Sequence, residues 1–159
     1  MNGTDEAIIL AGGFGTRLRS VVSDVPKPLA PVAGRPFLAW MLDALSAQGI
    51  RRAILATGFM GDSVADACGD SWQGMQLVYS QESKPLGTGG AIALAFSQVH
   101  GESCMVLNGD TWLVFDHAGF DEAWQASHAR LAIALAEVDD VSRYGAVQVE
   151  HDRVSGLVE

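Results

Sequence analysis

The chain is poor in positive charge: ten lysines and arginines stand against nineteen aspartates and glutamates, a formal net charge of −9 at pH 7 over 159 residues. That balance argues against nucleic acid as a partner, because a nucleic-acid footprint is a basic face. No apolar run reaches the eighteen residues that would be read as a membrane span, so no membrane partner is expected. The opening Met-Asn-Gly-Thr-Asp-Glu is acidic and polar, which predicts no secretion signal. Two cysteines, Cys68 and Cys104, lie far apart without a CxxC pattern. Cys104 falls in the apolar run Cys104–Leu107 and reads as a small core residue, so a reducing cytoplasm is the expected compartment. The histidines at 100, 117, 128 and 151 have no metal-ligand spacing. There is no GxSxG elbow and no nucleophilic triad. Two phosphate loops are missing as well. No Gly-Lys pair exists to make a Walker loop, and the dinucleotide fingerprint fails because its third glycine position, counted from Gly13 and Gly15, is Leu18.

What is present is a chain that is 48% apolar, enough to bury a core as one domain spanning 1–159. Strand and helix signals alternate, which predicts an α/β fold with a mostly parallel sheet and helices on both faces. Strands are expected at 7–10, 53–57, 75–80, 104–107 and 131–137, and helices at 37–48, 62–68, 89–99 and 120–129. Residues 146–150 and 154–158 read as an antiparallel hairpin. No repeat, low-complexity tract or internal linker interrupts the pattern.

The first strand empties into Gly12-Gly13-Phe14-Gly15-Thr16-Arg17, where glycines let backbone amides crowd around an anion. Arg17 and Arg19 follow, and Lys27 sits between two prolines that stiffen its backbone. Residues 1–52 carry six cations and four anions, net +2, whereas residues 53–159 carry four cations and fifteen anions, net −11. The scarce positive charge is therefore concentrated around the glycine loop. A glycine loop after a first strand, with fixed cations beside it, suits a polyphosphate, and an acidic protein binds one when the local field is right and a divalent metal helps.

Two later segments extend the pattern. In Tyr79–Ala91, a strand end runs through Gly87-Thr88-Gly89-Gly90 into a helix N-terminus, where unpaired amides and the helix dipole suit a nucleotide. In Val106-Leu107-Asn108-Gly109-Asp110, an aspartate emerges from a buried run past a permissive glycine, at the strand end where ligands gather in open α/β sheets. A hard carboxylate there suits Mg²⁺; on local pattern alone, a simple Asn-Gly-Asp turn is the alternative. Ser142-Arg143-Tyr144-Gly145-Ala146 reads equally as a ligand turn or as a hairpin entry with a packed tyrosine.

The stretch from Ala7 to Pro36, with GGFGTRL followed by PKPLAPVAGRP, resembles the signature of the sugar-1-phosphate nucleotidyltransferases. These join a nucleoside triphosphate to a sugar 1-phosphate and release pyrophosphate. PLGTGGAI, NGDT and RYG follow in the family's order, and among its members the runs are most similar to guanylyltransferases that activate a heptose 1-phosphate. The resemblance implies a three-layer Rossmann-like fold of the GT-A type. It implies Arg17, Lys27 and Asp110 as catalytic residues, with Asp110 as the Mg²⁺ ligand. It places the nucleotide against Leu10, Ala11, Gly12, Gly13, Gly15, Thr16, Glu82, Gly87, Thr88 and Gly89, and the sugar against Asn108, Tyr144, Gly145 and Glu159. Glu82 stands where the family chooses its base. A carboxylate accepts from guanine N1–H and N2–H₂ together but offers no donor to uracil or thymine, which favours GTP.

The chain ends inside an expected strand, and the lysine that follows the family's glutamate, at Glu159 here, is missing, so the family's C-terminal sugar-binding part is expected to lie outside it. The apolar surface this would leave predicts aggregation or a homodimer. The other readings are mannose- or glucose-1-phosphate transfer and a catalytically silent nucleotide-binding module. Asp139-Asp140 brings in a related glycosyltransferase, although that class would carry Asp-x-Asp where Asn108-Gly109-Asp110 stands.

Overall fold

The strand Glu6–Leu10 (β1) is an interior strand, its side chains from Glu6 to Ile9 buried on both faces. The computed structural model describes residues 4–12, 25–58, 61–141 and 145–158, which fall into one unit up to Ala129 and a second from Arg130. In the first unit, β1 pairs in parallel with Arg52–Thr57 (β4) on one side and Met105–Asn108 (β7) on the other. Met75–Gln81 (β6) continues the sheet in parallel beyond β4, and the two-residue Ser71–Trp72 (β5) closes that edge antiparallel. The order β5-β6-β4-β1-β7 is the mostly parallel sheet expected from the alternating strand and helix signals.

The period-two alternation of strands sorts the core into two layers. Ala7 and Ile9, with Ala53, Leu55 and Leu77, meet Leu38, Met41, Leu42 and Leu45 of the helix Phe37–Ala47 (α1) and Val64 of the helix Gly61–Cys68 (α2). On the opposite face, Ile8, Ile54 and Ala56 meet Ala91 and Ala95 of the helix Gly87–Phe96 (α3). Helices thus cover both faces in three layers. The helix His117–Ser127 (α4) is tied to the start of the chain by Asp121, which accepts from the Thr4 amide at 3.1 Å and hydroxyl at 2.8 Å. Burial pushes the Cys68 thiol up, and burial with the nearby Glu6 carboxylate does the same for Cys104, so both cysteines are protonated core neighbours rather than reactive thiolates.

At the N-terminal end of the strands, Glu6 accepts from Arg52 Nη1 at 2.9 Å and from the backbone amides of His100 and Gly101 at 2.8 and 2.6 Å. Burial opposes its ionisation, but the Gly101 amide, Arg52 and the His100 amide together win and hold the carboxyl below its ordinary range. One side chain therefore joins β1, β4 and the segment between α3 and β7.

Three details differ from the sequence expectation. Pro31–Val32 (β2) and Arg35–Pro36 (β3) form a small antiparallel hairpin across Ala33-Gly34, both at positive φ, and this piece was not anticipated. Helices α3 and α4 begin two and three residues earlier than expected, and α4 ends at His128 in the left-handed conformation. Residues 131–137 form no strand. A strand needs a neighbour for its amides and carbonyls, and alternate positions in this run are alanine, a poor strand former. The second unit contains the expected hairpin, Ala146–Glu150 (β8) with Arg153–Val158 (β9), irregular at Gln148/Val149.

Candidate active site

Because β6, β4, β1 and β7 are parallel, their exits line one edge of the sheet. Leu10 lies beside Ala56 and Asn108, and Thr57 beside Gln81. At about 4.8 Å between strands, the four exits form a row about 14 Å long. Among the described residues, Leu10, Ala11, Gly12, Glu82, Asn108 and Asp110 lie at or just beyond these exits.

Beyond β1, the Ala11 amide donates to the Ala56 carbonyl at 2.8 Å and directs the chain toward β4. Gly12 then passes so close to Gly58 that a Cβ on Gly12 would lie 2.9 Å from the Gly58 nitrogen, and one on Gly58 would lie 3.0 Å from the Gly12 oxygen. Only paired glycines allow this crossing. Sequence reasoning identified Gly12 but missed Gly58, whose sole signal is a glycine directly after a buried strand.

Beyond β7, the Gly109 amide donates to the Leu10 carbonyl at 2.9 Å, and a Cβ at Gly109 would lie 2.6 Å from that oxygen. This contact fixes where Asp110 leaves the sheet. Its carboxylate forms an ion pair with Lys27, 83 residues earlier. Lys27 opens a single 3-10 turn, Lys27–Leu29, introduced by Pro26 at φ −57° and seated by the buried Pro28. The prolines fix the backbone of the lysine, as their sequence positions imply. The other oxygen of Asp110 accepts from the Thr111 hydroxyl at 3.3 Å. Next in the chain, Trp112 sets its ring edge-on to Phe37, with centroids 6.2 Å apart.

Beyond β6, the Glu82 amide donates to the Thr57 carbonyl at 2.9 Å, and its carboxylate accepts from the Leu86 amide at 3.0 Å. Glu82 therefore braces the turn that leads into α3. Gly87 enters the helix at φ +71°, and no side chain caps the first turn. Gly87, Thr88 and Gly89 are exposed there, so the backbone donors of that turn are available to an anion or a base.

The structure thus brings Lys27 to Asp110 and sets Leu10, Ala11, Gly12, Asn108 and Glu82 at adjacent strand exits. Gly13, Gly15, Thr16, Arg17, Tyr144 and Glu159 lie outside the described residues. Gly145 belongs to the second unit, just before β8. Among the described residues, no group of three or more histidine, cysteine, aspartate or glutamate side chains could form a protein-only metal cage. A single accessible carboxylate fits a Mg²⁺ ion that draws its remaining ligands from water and phosphate oxygens, and the Asp110 side chain is 41% exposed.

The chain is similar to several known nucleotidyltransferases. Over 154 residues the chain is 42% identical to D-glycero-alpha-D-manno-heptose 1-phosphate guanylyltransferase of Aneurinibacillus thermoaerophilus, covering 97% of this chain and 67% of that protein. It is 37% identical to mannose-1-phosphate guanylyltransferase of Mycobacterium tuberculosis, covering 97% of this chain and 44% of the relative. The crystal structure of HddC from Yersinia pseudotuberculosis complexed with GMP-PN superposes with a TM-score of 0.87 at 39% identity, covering 98% of this chain and 69% of that one. The chain thus spans about two thirds of the heptose-acting relative and less than half of the mannose-acting one. Residues 6–159 match the nucleotidyl transferase family, and the chain belongs to that family.

Proposed function

We propose that the chain carries the nucleotide site of a sugar-1-phosphate guanylyltransferase, which moves GMP from GTP to D-glycero-α-D-manno-heptose 1-phosphate and releases pyrophosphate. The observation that carries this reading is the meeting of Lys27 and Asp110 at the strand-exit edge, with Glu82 beyond β6 bracing the turn into the glycines of α3. The heptose is supported by the 42% identity to an enzyme of that name, and guanine by that enzyme's name together with the carboxylate at Glu82. Free, protonated cysteines support a reducing cytoplasm as the compartment.

The chemistry needs no covalent nucleophile. A sugar 1-phosphate is largely dianionic near pH 7, since the second pKa of a phosphate monoester is about 6. Its oxygen attacks the α-phosphorus of GTP in line; the new P–O bond forms as the bond to pyrophosphate breaks. The protein contributes alignment and charge neutralisation. Lys27 places its ammonium against the reacting phosphates, and Arg17 adds a second cation from the glycine loop. The unpaired amides opening α3 and the open glycines at 87 and 89 let the nucleotide approach the backbone, and Gly12 sets the path of the chain into the phosphate loop. Asn108 and Gly145, with Tyr144 and Glu159, are the sugar-side residues. Asp110 would hold a Mg²⁺ ion, which would supply charge neutralisation to the phosphates.

A silent nucleotide-binding module is the second reading; retention of Lys27 and Asp110 in contact argues against it, because binding alone does not need both. Calorimetric titration of the chain with GTP, UTP, dTTP and CTP, each with Mg²⁺, tests the base. Selective heat with GTP is the expected result, and equal binding of all four would remove Glu82 as the selector.

A further inference from the structure

The chain has two asparagines, Asn2 and Asn108, and each is followed by glycine. An Asn-Gly pair is prone to cyclise, because glycine has no Cβ to keep its nitrogen away from the asparagine side chain. At Gly109 the glycine is imposed by packing: a Cβ there would lie 2.6 Å from the Leu10 carbonyl oxygen and 3.4 Å from the Ala11 Cα. The close approach of β7 to the exit of β1 therefore sets a chemically labile pair directly before Asp110.

The same approach guards the pair. The Gly109 nitrogen, the nucleophile of any cyclisation, is buried and donates its proton to the Leu10 carbonyl at 2.9 Å. The Asn108 carbonyl, at the other end of the same peptide unit, accepts from the Thr111 amide at 3.4 Å. Asn108 itself stands in the parallel ladder opposite Leu10, as the last residue of β7. Ring closure requires the peptide unit to swing from its extended setting toward the Asn108 side chain. That rotation breaks both bonds and leaves the buried Gly109 amide without a partner, which is costly.

We propose that Asn108 is a deamidation site held closed by the Gly109–Leu10 hydrogen bond, and that modification proceeds only through local opening of the end of β7. Once the bond opens, the Gly109 nitrogen gives its proton to a solvent base and bonds to the Asn108 Cγ. The Cγ–Nδ2 bond breaks and ammonia leaves. Water then opens the cyclic imide at either carbonyl, to aspartate or to isoaspartate, with no change of oxidation state. Either product adds one negative charge two residues before Asp110. The isoaspartate also routes the backbone through the side chain and lengthens it by one carbon, so Gly109 cannot keep both its seat against Leu10 and the register of β7.

The test follows conversion at position 108 of the 159-residue chain in mildly alkaline buffer, folded or unfolded in guanidinium chloride. Peptide mapping by mass spectrometry separates position 108 from Asn2, and isoaspartate from aspartate. The folded chain is expected to convert at least about tenfold more slowly than the unfolded one, because reaction waits for a local opening. Hydrogen exchange at the Gly109 amide should be slowed as well, since it needs the same bond broken. Leu107→Ala removes a side chain packed against the α1 layer of the core, next to Asn108. It should convert faster than the parent when folded and at the parent's rate when unfolded. The proposal is overturned if the folded parent converts as fast as the unfolded chain, if the Gly109 amide exchanges freely while conversion stays slow, or if folded Leu107→Ala converts no faster than the parent. Should that variant fail to fold, the parent comparison and the Gly109 exchange decide.

Discussion

Among the described residues, each end of the parallel sheet carries one lysine- or arginine-carboxylate pair, and the two differ in burial and in hydrogen bonding. At the N-terminal end, Glu6 and Arg52 have side chains only 6% and 12% exposed, and the carboxylate accepts two backbone amides besides the guanidinium. At the C-terminal end, Asp110 and Lys27 are 41% and 33% exposed, and among the described residues the carboxylate has one weak hydroxyl besides the ammonium. The first charge is saturated and cannot be recruited by a ligand without leaving buried donors unpaired. The second pair is wetter and held by fewer bonds, so it adds little to stability and yields to a better partner. Ion pairing by itself does not distinguish scaffold from chemistry; burial and the number of filled hydrogen-bond positions do.

Substitutions at the two ends should therefore separate function from folding. Asp110→Asn or Lys27→Ala should slow pyrophosphate release from GTP and the sugar 1-phosphate by about 10²–10³-fold, the usual cost of removing one charge contact to a transition state. Thermal unfolding should move by no more than about 1 kcal/mol in either variant. A large loss of stability there would erase the contrast. Glu6→Ala should do the reverse, lowering urea-unfolding stability by about 3 kcal/mol because Arg52 is left buried and unpaired, while GTP titration of the folded variant stays unchanged.

Gly58→Ala should cost about 1–3 kcal/mol, since its Cβ meets the Gly12 backbone. It should also weaken GTP by displacing the glycine loop, and normal binding in this variant would show that the crossing only packs. The smallest effect is on acid stability. Glu6 is held below its ordinary value of 4.5, so its charged form contributes fully above that pH and is lost as pH falls through the depressed folded value. The melting-temperature gap between the parent chain and Glu6→Gln should be constant between about pH 6 and 8 and close in acid, below about pH 4. A gap that widens in acid would reverse the sign argued here.

The sheet and its three layers are legible in the sequence because buried parallel strands are short apolar runs separated by helix-length segments, as at Ala53–Thr57 and Phe37–Gln48. Lys27 and Asp110 are each legible from their motifs. Their contact is not, since it depends on β7 lying beside β1, a choice of strand order that no local pattern encodes. The same holds for Gly58, which matters only because Gly12 crosses it. The two-residue strands β2, β3 and β5 exist through pairing alone and leave no periodicity to read. Glu82 has a recognisable position, but its bond to the Leu86 amide belongs to the folded turn. Residues 131–137 err the other way: Leu131, Ile133 and Leu135 alternate as a strand does, yet no described segment pairs with them.

Trp112 stands two residues beyond Asp110, half exposed and edge-on to Phe37 at the end of the first layer's helix. Indole emission responds to solvent and to nearby charge, and this ring rides on the backbone that leaves the carboxylate. The other three tryptophans, Trp40, Trp72 and Trp124, have their indole N–H groups tied to Val32, Asp43 and Ala129. Exchanging those three for phenylalanine would leave a single tryptophan two residues from Asp110, so that nucleotide arrival at this edge could be followed by stopped-flow fluorescence without an added dye.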